Sequence, residues 1–142
     1  MNRPYVKVTM NPKRIYLCGP IMNCQPTETK DWRTRAKERL AGRFMLLDPM
    51  RRCFRDNEID SANEIVDFDL QDIRDADIIL VNYNKASIGT AMEVFYASHD
   101  LGKFVIAFSP FEFKNCSPWM VRFCTKITPD LDAAISYIER NF

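Results

Sequence analysis

"ADIILVNY", residues 76–83, decides the fold. From Ala76 to Val81 only Asp77 is polar, and the run shows no alternation of apolar and polar positions. A strand with one wet face would alternate; a short continuous apolar run reads as a strand covered on both faces. "RIYLC" (14–18) and "KFVIAF" (103–108) share this pattern, and "FMLLD" (44–48) adds a strand ended by Pro49. Helical periodicity fills the intervals. "KDWRTRAKERLAG", entered at Thr29 as a candidate N-cap and closed by Gly42, aligns Trp32, Ala36 and Leu40. "SANEIVDFDLQDIRDAD" sets Ala62, Ile65, Val66, Leu70 and Ile73 on one stripe. "AMEVFYASHDLG" reads as a helix closed by Gly102. After the irregular "SPFEFKNCSPWM", "VRFCTKI" (121–127) is expected as a last short strand and "PDLDAAISYIERNF" as a terminal helix with Pro129 near its first position.

Strands that alternate with helices, and are apolar throughout, predict a single α/β domain over residues 13–142. The expected architecture is flavodoxin-like: a doubly wound parallel five-stranded sheet with helices on both faces. Residues 1–12, punctuated by Pro4 and Pro12, read as an N-terminal arm. Ligand crevices in such sheets lie beyond the carboxyl ends of the strands. That rule directs attention to the loops 18–28, 48–57, 83–90 and 108–119.

Composition narrows the partners. Twenty Lys and Arg against nineteen Asp and Glu leave a net charge of +1 over 142 residues, so no global field gathers nucleic-acid polymers or anionic membranes. No apolar stretch approaches the ~20 residues that span a bilayer, and "MNRPYVKVTMNPKR" lacks the apolar segment of a signal peptide, so a cytoplasmic protein is expected. Five cysteines, at 18, 24, 53, 116 and 124, form no CxxC pair, and with the single His99 they compose no zinc spacing. They read as reduced packing thiols; no metal or other cofactor is expected.

Two acids stand in apolar company. Asp69 sits in the stripe formed by Ile65, Val66, Leu70 and Ile73, and Glu93 interrupts "GTAMEVFYA" (89–97). Thr90-Ala91-Met92-Glu93 fits a capping box, and Asp69 fits an acid that caps a neighbouring loop. Taken together they admit a chemical reading. A carboxylate in a helix first turn is kept ionised by the helix dipole, and an acid in an apolar stripe has its pKa raised. A nucleophile and a proton donor of this kind, roughly 5 Å apart, are what retaining glycosyl chemistry requires.

"RIYLCGPI", "DLQDIRDADIILVN" and "SIGTAMEVFYA" resemble the nucleoside 2-deoxyribosyltransferases and their relatives, the 2'-deoxynucleoside 5'-monophosphate N-glycosidases. The likeness spans about residues 14–108, with "SPW" at 117–119 extending it; GxxMExxYA after "ADIIL" is its most specific piece. The resemblance implies that Glu93 attacks C1' of a 2'-deoxyribonucleoside, that Asp69 protonates the departing base, and that the hydroxyl of Tyr16 orients the nucleophile. It places Gly19, Ile21 and Met22, just past the first strand, and Ser87 and Gly89, before Glu93, at the substrate. The family's transferases carry aromatic residues where this chain has Ile21 and Met22.

Ser87 divides the family reading. Transferases often place an aspartate there to hold a 5'-hydroxyl, whereas relatives that cleave monophosphates have a serine. The loop "CGPIMNCQP" lacks the basic residue of those hydrolases, although Arg51, Arg52 or Arg55 offers a substitute cation unless "RRCFR" is simply a solvated loop. The expectation is a transferase acting on deoxynucleosides and free purine or pyrimidine bases, with the monophosphate hydrolase as alternative and a non-catalytic nucleotide-binding domain third. The resemblance also implies a homo-oligomer, tetramer or hexamer, with shared sites. Ser117 would reach the adjacent chain's ligand, and Trp119 would anchor the interface unless it covers its own domain.

Overall fold

The structure is a computed structural model that describes residues 11–52, 54 and 56–142. Five strands form one sheet: β1 (Arg14–Cys18), β2 (Met45–Leu47), β3 (Ile78–Asn82), β4 (Phe104–Phe108) and β5 (Lys126–Thr128). Their spatial order is β2-β1-β3-β4-β5, and every neighbouring pair is parallel. This is the expected doubly wound fold. The three apolar runs form its centre, β3 lying between β1 and β4 with Ile15 opposite Ile78 and Ile78 opposite Phe104.

Side chains alternate across a strand, so the sheet has two separate cores. Ile15 and Leu17 of β1 face α1 (Pro26–Leu40) and α5 (Leu131–Asn141), where Trp32, Leu40, Ile135 and Ile138 cover them. Tyr16 and Cys18 point the opposite way, toward α2 (Ala62–Asp75) and α3 (Ile88–Phe95), and pack with Ile73 and Val94. The second core underlies the functional site. Any residue two positions from Tyr16 on β1 therefore shares its side of the sheet.

Several boundaries differ from those read in the sequence. Helix α1 starts at Pro26, not beyond Thr29: proline fits the first helical position because it lacks the amide that would go unpaired there. Thr29 is buried inside the helix and its hydroxyl donates to the Pro26 carbonyl. "VRF" is helical. Ser117 and Pro118 begin α4 (Pro118–Phe123), with the Ser117 hydroxyl accepting from the Trp119 amide, and only Lys126–Thr128 joins β4 as a strand. Asp130, rather than Pro129, opens α5 by accepting from the Ala133 amide. Most of the expected N-terminal arm, residues 1–10, lies outside the described residues.

Candidate active site

The strand order reverses at β1 and β3, and the loop leaving the carboxyl end of β3, together with α2, α3 and α4, surrounds a cleft of about 700 Å³. Asp69 and Leu70 of α2 form one wall, Ser87, Gly89 and Glu93 the opposite one, and Ser117 of α4 closes an end. Both acids singled out in the sequence thus share one cavity. So do three residues expected at the substrate: Ser87, Gly89 and Ser117.

Helix α3 is capped by Ser87, whose hydroxyl accepts the Thr90 amide at 3.4 Å, so Thr90 lies within the helix and caps nothing. Glu93 is in the second turn, beyond the reach of a capping box and of most of the dipole's effect. Its partners are elsewhere. The Cys18 thiol donates to Glu93 Oε2 at 3.2 Å, and buried Tyr16 lies on the same face of β1. Glu93 reaches across from α3 onto the end of β1.

The expected division of ionisation, Glu93 held charged and Asp69 held neutral, is not what the surroundings produce. Burial and the nearby Asp69 charge raise Glu93 to about 7, against the hydrogen bond from Cys18, the Tyr16 side chain and the charge of Arg33, which lower it. Burial raises Asp69 to about 6, opposed chiefly by Arg52. Near neutral pH the pair therefore retains about one proton, and its titration belongs to both groups.

A second acid on α2, Asp72, is bound differently. Arg51 donates to both of its oxygens, at 2.7 and 2.9 Å, and Arg52 adds a bond at 2.8 Å. Arg52 approaches Asp69 only to 3.7 Å, and its guanidinium stacks over Phe68. "RR" in the loop after β2 is therefore tied to α2 through Asp72, with Arg51 still partly exposed. Arg55 lies outside the described residues.

Gly19, Ile21 and Met22 do not line this cleft. At Gly19 a Cβ would lie 2.9 Å from Trp32 Cζ2 and 3.1 Å from Asn82 Cβ, so this glycine permits close packing of α1 and β3 against the turn. Its carbonyl accepts from buried Arg33. Ile21 closes a turn by accepting the Cys24 amide, and Met22 is 60% exposed. Two contacts, one at the site and one beside it, were missed in the sequence. Cys18 had a usable signal, since strand alternation puts it beside Tyr16. Lys85 had none: it donates to the Asn23 carbonyl at 2.9 Å and pairs with Glu28 at 3.5 Å, linking the loop after β3 to that after β1.

The family model described as nucleoside 2-deoxyribosyltransferase matches residues 15–117. The chain belongs to this family. A search of curated proteins found no match. Among solved structures it is similar to a 2-deoxyribosyltransferase from the psychrotolerant bacterium Bacillus psychrosaccharolyticus, with TM-score 0.68 and 21% identity over 87% of this chain and 91% of that one. It is also similar to the Clostridium botulinum CMP N-glycosidase BcmB, with TM-score 0.62 and 17% identity over 92% and 100% of the two chains. A response regulator from Thermotoga maritima shares the fold too, with TM-score 0.57, 12% identity and coverage of 92% and 97%. At these identities the structural likenesses establish the fold alone. Members of the sequence family transfer glycosyl groups or cleave N-glycosidic bonds. Among the described residues no helix is long and apolar enough to cross a membrane.

Proposed function

We propose that this protein is a nucleoside 2'-deoxyribosyltransferase that works by double displacement. The observation that carries the reading is the meeting of Glu93 and Asp69 in one cleft at the switch point of the sheet. In the first half-reaction a Glu93 oxygen forms a bond to C1' while the bond from C1' to the base nitrogen breaks. The electron pair leaves with the base, which takes the proton from Asp69. In the second, a nitrogen of the incoming base attacks C1', its proton passes to Asp69, and the glutamyl ester bond breaks, returning the Glu93 carboxylate. Two inversions retain the configuration at the sugar.

Burial helps by withholding water from both carboxyls, so a modest change in their partners changes which one is charged. Tyr16 and Cys18 favour the ionised Glu93, the form that attacks. Ser87, at the start of α3, faces the 5' end of the sugar in this reading, and the nearest described cation on its own loop, Lys85, is already paired with Glu28. A 5'-hydroxyl therefore suits the site better than a phosphate.

The mouth of the cleft is rimmed by exposed apolar side chains, Met92 at 67% and Trp119 at 69%, beside Phe95. A second copy of the chain would cover them, making the enzyme a homo-oligomer whose subunits complete each other's sites. Cleavage of 5'-monophosphates is the second reading, favoured by a serine rather than an acid at position 87. Incubation with a deoxynucleoside, with and without a second free base, and then with the 5'-monophosphate separates the two. Base exchange on the nucleoside supports the transferase; hydrolysis confined to the monophosphate overturns it.

A further inference from the structure

Cys18 is wholly buried at the carboxyl end of β1, and its Sγ lies 3.2 Å from Glu93 Oε2. That is a close approach for a sulfur donor, and the contact joins residues 75 positions apart. Strand alternation explains why a thiol is there: Tyr16 and Cys18, two residues apart on β1, emerge on the same face beneath α3. We propose that Cys18 is a positioning residue for the nucleophile: its thiol, hydrogen-bonded to Oε2, stops rotation of the Glu93 carboxylate and leaves the other oxygen to face the cleft. This role presupposes that Glu93 is the nucleophile.

The thiol suits the task chemically. A carboxylate that attacks carbon needs its orientation fixed but its charge left available, and a thiol donates a weaker hydrogen bond than a hydroxyl does. Burial and the adjacent Glu93 charge push Cys18 well above the usual thiol range, so it remains a donor throughout the working pH range. The groups that face Glu93 come from three other elements: Tyr16 and Cys18 from β1, Asp69 from α2 and Arg33 from α1. Of these, Cys18 is the one whose donor lies within hydrogen-bond distance of the carboxyl among the described residues.

The test compares Cys18→Ala, which lacks a donor, with Cys18→Ser, which keeps one. Cys18→Ala is expected to lower kcat about tenfold with KM nearly unchanged, and to raise the alkaline limb of the pH profile, the one nearer Glu93, by about one pH unit, because a donor that favoured ionised Glu93 is gone. Cys18→Ser is expected to restore both. A folded Cys18→Ala with wild-type kcat and alkaline limb overturns the role, as does equal impairment of the two variants. Infrared titration of the Glu93 carboxyl, assigned with Glu93→Gln, reads the same shift in ligand-free protein. A shift there without any glycosyl activity would sink the transferase reading, and with it the positioning of a nucleophile, while keeping the hydrogen bond from Cys18 to Glu93; no shift would sink the positioning role whatever the activity. If Cys18→Ala does not fold, the S–H stretching band of the wild type, identified by its loss in Cys18→Ser, must move in Glu93→Gln. An unmoved band overturns the contact.

Discussion

Asp69 and Asp72 are the same residue type, three positions apart on α2, yet their surroundings are opposite. Asp72 is almost completely enclosed, its side chain 6% exposed, and receives three hydrogen bonds from two arginines. Asp69 opens to the cleft, has an arginine no closer than 3.7 Å, and lies beside another acid. A buried carboxylate with its lone pairs filled serves to hold two elements together. One left underpaired beside a second carboxyl changes its proton readily, which is the property a proton donor needs. The difference separates the arginine clamp, which is architecture, from the Asp69–Glu93 pair, which is chemistry.

Glu93→Gln should give the largest effect, because the amide can neither bond to C1' nor stabilise positive charge there. Turnover is expected to fall at least about a thousandfold. Stability should move the other way. Glu93 titrates near 7 in the folded protein against an ordinary 4.5, so its ionisation costs the fold nothing at acid pH and the full penalty above about 7. At about pH 8 the variant should be more stable by on the order of 2 kcal/mol, and at about pH 4 the difference should vanish. Urea unfolding at the two pH values checks this. A variant less stable at alkaline pH would make Glu93 a structural residue.

Asp69→Asn should act selectively. With an ordinary base as leaving group the rate is expected to fall by about a hundredfold or more, since the base must depart unprotonated. With a chemically activated base, whose nitrogen leaves readily as an anion, the loss should be within about tenfold. The wild type should show a bell-shaped profile for ordinary substrates, active while the pair holds one proton, between about 6 and about 7, and declining on either side. Its alkaline limb should disappear with the activated substrate. Equal slowing on both substrates would remove Asp69 from proton transfer.

The clamp predicts the converse pattern. Asp72→Ala leaves two arginines facing a cavity where a carboxylate had been; Arg51 is 44% exposed and can turn to water, so the cost is expected to be about 2 kcal/mol rather than the larger figure for a fully buried pair. The folded fraction should keep most of its kcat. A loss of kcat exceeding the loss of folded protein would blur the distinction between the two acids.

Much of this was legible in the chain, for physical reasons that differ by region. The central strands could be read because burial on both faces removes polar residues from them, as in Ile78–Val81. Asp69 and Glu93 stood out because an acid in an apolar stripe needs a reason. What escaped were features decided by one local contact. Ser117 and Pro118 convert "VRF" from strand to helix, and Pro26 moves the start of α1 past a plausible cap at Thr29. Ser87 takes the capping role assigned to Thr90, which moves Glu93 out of the dipole's reach and leaves burial to raise its pKa. Lys85 on Asn23 and Arg51 on Asp72 are long-range pairs that periodicity cannot register.

The smallest effect tests where the clamp touches the chemistry. Arg52 bonds to Asp72 at 2.8 Å and stands 3.7 Å from Asp69, so its charge favours ionised Asp69 while its hydrogen bond serves the clamp. Arg52→Gln removes the charge and can retain a bond to Asp72. Without that charge Asp69 should hold its proton to higher pH, because burial, which already raises it to about 6, then acts with less opposition. Asp69, near 6, sets the lower of the two limbs, so the acid limb of kcat/KM should move upward, by about half a pH unit for a charge at this separation in a partly wet site. The alkaline limb should follow by less, since Arg52 faces Asp69 and not Glu93. An acid limb that moves downward would mean that Arg52 acts on Asp69 through orientation, and the clamp would then belong to the catalytic apparatus as well as to the fold.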